Sequence, residues 1–121
     1  MTNFDAAEFP AISMSVSTAG RGEATLVLGG RLDMVEAVTV RERLSQDDLV
    51  SAQYLVIDLA AVTFVDSAGL AVLARARRDR VLEGGTVTLV RPRSDDAMRV
   101  FRLTQFDQIF VMLDPTESGS T

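Results

Sequence analysis

The chain switches between two hydrophobic periods. Residues 12–18, ISMSVST, place an apolar side chain at every second position with Ser between, the pattern of a strand with one buried face. Gly20 and Gly22 predict a turn, and residues 23–30, EATLVLGG, predict a second strand paired with the first as a hairpin. Leu26 and Leu28 share one face of it. The period then lengthens. Asp33 stands three residues before Glu36, the spacing of a capping box, and Val40 and Leu44 lie one helical turn apart. Residues 54–59, YLVIDL, form a nearly continuous apolar run, which predicts a central strand buried on both faces, followed by a short loop over 60–63.

A helix is predicted over about 68–83. Leu70, Leu73, Ala74 and Val81 fall on one side of it, and Arg75, Arg77, Arg78 and Arg80 crowd its second half as a solvated face, with electrostatic steering toward an acidic partner as the lesser alternative. Gly84-Gly85 ends it, as glycine does past a helix C-terminus. TVTLV, 86–90, predicts another strand. Ser94 caps a third helix whose first turn holds Asp95 and Asp96, where the helix dipole favours anions, and whose apolar side is Met98 and Phe101. IFVML, 109–113, predicts the last strand. Strands alternating with helices after an initial hairpin give an α/β fold: one domain over 1–121 with its core in about 12–113 and flexible ends at 1–10 and 114–121. Its mixed central sheet has about four to five strands, with three or so helices packed on it. There is no internal repeat and no linker.

Composition narrows the chemistry. The 121 residues contain no Cys, His, Trp or Lys, so all 12 basic residues are Arg. Without His there is no Ser–His pair to activate a nucleophile, and without His or Cys a zinc site is not expected. Without Lys there is no phosphate-loop lysine and no Schiff base. The formal net charge of −5 argues against a nucleic-acid footprint. The opening residues lack a basic start and a long apolar core, and no stretch reaches the roughly 18 apolar residues of a spanning helix. A cytoplasmic protein with no cofactor and no metal is expected.

The stretch TFVDSAGLAVL, 63–73, ends a buried strand at Asp66 and starts a helix with a lone hydroxyl at Ser67. Three roles fit Ser67. As an N-cap it would accept a bond from a first-turn amide, worth about 1 kcal/mol. As the nucleophile of a strand–turn–helix elbow it would need a base, which the absence of His denies it. As a phosphoacceptor it would carry its phosphate at a helix N-terminus, where an anion is tolerated, and add about −1.5 to −2 charges. Gly69 in the first turn lowers helix propensity by up to about 1 kcal/mol, which suggests a surface approached closely by something else.

Gly30-Arg31-Leu32-Asp33, Val56-Ile57-Asp58-Leu59 and Phe64-Val65-Asp66-Ser67-Ala68-Gly69-Leu70 together resemble the STAS domain of bacterial anti-sigma factor antagonists. The run Arg99-Val100-Phe101-Arg102-Leu103-Thr104-Gln105-Phe106 resembles that family's third helix and its exit. The resemblance covers about 12–113, and D-S-x-G-L after an apolar strand is its specific part. It implies a STAS-type fold and a binding protein, not an enzyme. Such a protein binds a serine-kinase anti-sigma factor and so releases the sigma factor. The kinase phosphorylates the Ser after the Asp, here Ser67, which ends the complex, and a metal-dependent serine phosphatase restores it. ATP and magnesium belong to the kinase. The implied partner-binding residues are Asp33, Asp66, Ser67, Ala68, Gly69 and Leu70, with Asp33 expected near Ser67 on one edge.

Three positions depart from the family pattern. Ala68 stands where Ser or Thr is usual, which leaves Ser67 without a neighbouring hydroxyl. Arg31 stands where an acid is frequent, which should change the preferred kinase. The third helix usually exits through a Gly near Gln105; either a non-Gly left-handed residue there costs on the order of 1 kcal/mol, or the turn differs here. Asp33 is also explained as a helix cap, Asp58 as a strand-end acid bonded by the following loop, and Asp66 as a turn former. Phe101, Phe106 and Phe110 read as core. Two other readings stand beside the switch: a non-switching STAS assembly subunit of a lipid-transport ATPase or stress-signalling scaffold, and an enzyme with Ser67 as nucleophile. Neither nucleic acid nor membrane is expected as a partner.

Overall fold

The computed structural model describes residues 12–20 and 22–116. The expected lead-in at 1–10 and the end of the tail, 117–121, lie outside the described residues. Strand β1 (Ile12–Ala19) pairs antiparallel with β2 (Glu23–Leu32) around a turn in which Gly22 has φ +77°. Helices α1 (Met34–Leu44) and α2 (Asp47–Val50) lead to β3 (Tyr54–Val65), and α3 (Ser67–Leu82) leads to β4 (Thr86–Val90). Helix α4 (Asp95–Leu103) and a 3₁₀ turn (Phe106–Gln108) precede β5 (Val111–Leu113). The sheet order is β1-β2-β3-β4-β5, with every pair after the hairpin parallel. The expected mixed α/β sheet is therefore present, with five strands.

Leu26, Ile57 and Leu89 are fully buried in register across β2, β3 and β4, on the face that carries the core. Residues of the other face, Val27, Val56, Asp58 and Val90, are half-buried. Thus β3 is central but not buried on both faces, as the run YLVIDL suggests. Tyr54 and Val56 on its more open face hide the alternation from the sequence. Nor does β3 stop before a loop at 60–63. Two residues of β3, Leu59 and Ala60, face one of β2, Leu28, between the Val27–Asp58 and Gly29–Ala61 pairs, and Asp58 Oδ1 accepts the Ala60 amide at 2.9 Å. The bonded acid is the one expected, but it serves a bulge that carries the strand on to Val65.

Three further expectations are corrected. Val81 is 49% exposed, and the buried stripe of α3 is Gly69, Leu70, Val72, Leu73, Ala76 and Arg80. Arg80 does not belong to a solvated face. It is 5% exposed, and its Nη1 donates to the carbonyls of Val50 at 2.6 Å and Ala52 at 3.0 Å, satisfying the end of the short α2. Ile109 precedes the last strand instead of starting it. Other expectations hold. Ser94 Oγ accepts from Ala97 N at 3.3 Å, Phe101 is fully buried, and Gln105 occupies the left-handed region at φ 64°. Asp114 is ion-paired with Arg91, so the start of the expected flexible tail is tied to the end of β4.

Candidate functional site

Two neighbouring parallel strands end together, with Leu32 opposite Val65. Each is followed by one Asp and then a helix. The two Asp residues share a backbone conformation: Asp33 has φ −113° and ψ −174°, and Asp66 has φ −112° and ψ −173°. An extended residue before a helix aims its carboxylate at the amide three residues on. Asp33 Oδ1 accepts from Glu36 N, and Asp66 Oδ1 from Gly69 N, each at 3.0 Å. The second oxygen of Asp66 accepts from Met34 N at 3.0 Å, so one carboxylate ties the first turn of α3 to the first residue of α1.

Asp66, not Ser67, is therefore the cap of α3. Ser67 is the first helical residue. It is exposed, and among the described residues its hydroxyl has no hydrogen-bond partner. The reading of Ser67 as a helix cap is overturned, because the residue before it has the extended backbone that capping requires.

Gly69 has a different explanation from the one its position suggests. It is buried, and a Cβ there would run into the Leu32 carbonyl oxygen and come within 2.8 Å of Leu32 Cγ. What approaches it is the end of β2. Asp66 N also donates to the Leu32 carbonyl, at 3.3 Å. The structure brings Asp33, Asp66 and Ser67 to one edge, with Ala68 half-buried beside them. It puts Gly69 and Leu70 beneath that edge, Leu70 at 3% exposure.

Apolar surface surrounds the edge. Met34 and Val35 are each 70% exposed in the first turn of α1. The Arg31 guanidinium carbon lies 4.5 Å from the centroid of the Phe64 ring, and Arg31 Nε is 3.3 Å from Asp33 Oδ2. The Asp33 carboxyl is held below its usual range, first by the Glu36 amide and also by Arg31, against some burial. Met34, Val35 and the Arg31–Phe64 stack were not singled out from the sequence. Two adjacent apolar residues opening a helix, where acids are favoured, are the available signal.

Among the described residues no side chain accepts a hydrogen bond from the Ser67 hydroxyl. Among the described residues no three acids, His or Cys gather in a way that could hold a metal ion. What the arrangement offers is an exposed hydroxyl, without a partner among the described residues, on a corner flanked by two carboxylates that are themselves hydrogen-bonded. No helix of the described residues is long and apolar enough to cross a membrane.

Comparison with known proteins agrees with this geometry. An anti-sigma-F factor antagonist of Mycobacterium tuberculosis, RsfB, is 38% identical over 63 residues, 51% of this chain and 52% of that protein, so the match spans about half the length of the curated relative. The crystal structure of an anti-sigma factor antagonist from Mycobacterium paratuberculosis superposes with a TM-score of 0.72 at 28% identity, covering 89% of each chain. The antagonist SpoIIAA in its unphosphorylated form has the same fold, with a TM-score of 0.72 at 20% identity over 89% of this chain and 92% of that one. The family model for the STAS domain matches residues 15–119, and this chain belongs to the STAS domain family.

Proposed function

We propose that this protein is an anti-sigma factor antagonist that binds a serine-kinase anti-sigma factor through the corner where α1 and α3 begin. Binding releases the sigma factor, and phosphorylation of Ser67 ends the complex. The observation that carries this reading is the state of Ser67: exposed, first in its helix, its hydroxyl without a hydrogen-bond partner among the described residues, and not needed as a cap because Asp66 fills that role. A hydroxyl with no structural work is free to be modified without unfolding the domain. The similarity to anti-sigma factor antagonists supports the same reading.

A phosphate on Ser67 takes the net charge from −5 to about −7. It would sit beside the Asp66 and Asp33 carboxylates, on a corner otherwise built from Met34, Val35 and Ala68. Bulk, charge and desolvation then act together against a partner pressed onto that corner. In this account Asp33 and Asp66 hold the corner's shape, Gly69 and Leu70 support it from below, and Ala68 contributes surface. The protein itself is a cytoplasmic regulator and not an enzyme. ATP and magnesium are used by the kinase, and a metal-dependent serine phosphatase returns the hydroxyl.

The test is intact mass after incubation with ATP, magnesium and kinase-type anti-sigma factors encoded in the same genome. The expected result is a gain of one phosphate, mapped to Ser67 and absent from Ser67→Ala. No gain with any of these kinases, or phosphate elsewhere on the chain, would contradict the proposal.

A further inference from the structure

We infer that the seam between α1 and α3 is a docking groove for an amphipathic helix of the kinase partner, one with apolar residues at either end and a carboxylate between them. This rests on the reading of Ser67 given above. Each helix contributes one stripe: Met34, Val38 and Arg41 from α1, and Ala68, Ala71 and Arg75 from α3. These positions repeat at helical spacing, so both stripes face the same groove, which has a volume of about 240 Å³. The alanines keep its α3 wall low enough for a third helix to approach closely.

The two arginines specify the occupant. Arg31, Arg43, Arg78 and Arg91 each pair with a carboxylate. Among the described residues the side chains of Arg41, Arg75, Arg77, Arg99 and Arg102 have no ion pair and no hydrogen bond, although the chain carries 17 acids against 12 bases, and of these Arg41 and Arg75 line the groove. Two unpaired guanidinium groups, one from each helix, face a single groove in an acidic protein. A partner carboxylate seated between them would gain both contacts at once.

Apolar surface lies on both sides of that pair. Met34 and Val38, 70% and 46% exposed, lie toward Ser67. In the other direction a second depression of about 250 Å³ shares Arg41, Val72 and Arg75 and runs on to Leu82, which is 77% exposed. Its carboxylates are Asp79, already bonded to Arg78 at 3.4 Å, and Glu83 at the far end, so the middle of the seam remains the cationic part. From Ala68 to Leu82 the seam is about 21 Å long, room for about four turns of helix. A helix laid in such a groove recognises it through residues at i, i+3 or i+4, and i+7. Because the groove starts beside Ser67, the docked helix also fixes where the kinase stands relative to the hydroxyl.

The test is calorimetric titration of the anti-sigma kinase that phosphorylates Ser67 with the full chain and three variants. These are the double variant Arg41→Glu/Arg75→Glu, Ala71→Trp, which fills the groove without changing charge, and the conservative Arg41→Lys/Arg75→Lys. Binding is expected to weaken at least about tenfold in the first two and much less in the third, with thermal unfolding unchanged. Wild-type affinity in the first two variants, with Ser67 still phosphorylated, would overturn the groove and leave the Ser67 switch standing. Sedimentation showing a dimer of the free protein that these variants dissolve would also overturn it, by giving the seam to a second copy. Failure of every kinase to label Ser67 would overturn both.

Discussion

Asp66 and Ser67 are adjacent and do opposite kinds of work. Asp66 spends both carboxylate oxygens inside the fold, one on Gly69 N and one on Met34 N. Asp66→Ala removes a cap and leaves two amides without their acceptor, and it should destabilise by about 2 kcal/mol. Ser67→Ala removes a hydroxyl that has no hydrogen-bond partner among the described residues and should stay within about 0.5 kcal/mol of wild type. Urea unfolding of the two variants checks the contrast. Were Ser67 the cap, the order would reverse. Asp33 adds a pH signature. Its folded pKa lies below the ordinary value of 3.8, so its contribution is complete above that range and is lost as pH falls through the lowered value. Asp33→Asn should therefore flatten the decline of stability below pH about 4 and leave neutral-pH curves similarly shaped. Denaturation midpoints between pH about 2 and 7 measure this.

At the level of elements, Arg80 couples α3 to α2. Its Nη1 holds the carbonyl of Val50, the last residue of the four-residue helix, and that of Ala52 just beyond it, and the residue is buried. Arg80→Ala should cost about 2–3 kcal/mol by urea unfolding, whereas Arg77→Ala on the same helix should be near neutral. The sequence does not reveal this, because four arginines in a row of six residues look alike until the fold shows which one meets α2. Apart from the four-residue α2 and the 3₁₀ turn, which were not foreseen, the strand and helix order was legible because the periods of the side chains change sharply at Asp33, Asp66 and Ser94. The length of β3 was not, since the bulge at Asp58 depends on register with β2, which no local pattern encodes. The same limit hid the true cap of α3. Asp and Ser are both good caps, and only the backbone of Asp66 decides between them. Gly69 was visible as an anomaly, but the group that crowds it, Leu32, lies 37 positions earlier in the chain.

Across the whole molecule, the parallel pairing of β2 with β3 is what makes a site. It ends two strands at one edge and starts two helices there, so that Asp33, Met34, Asp66 and Ser67 meet although they come from separate segments. The core beneath them is continuous and independent of Ser67, which allows modification to change the surface and spare the fold. The family resemblance in the sequence rested on D-S-x-G-L. In the structure these residues divide into a cap, an exposed hydroxyl and buried supports. The most direct measurement is the Kd of the anti-sigma kinase for the unmodified protein and for the same protein phosphorylated on Ser67. Weakening of at least about a hundredfold on phosphorylation, with matching unfolding curves, is the predicted result. Equal affinity for the two forms would contradict the switch.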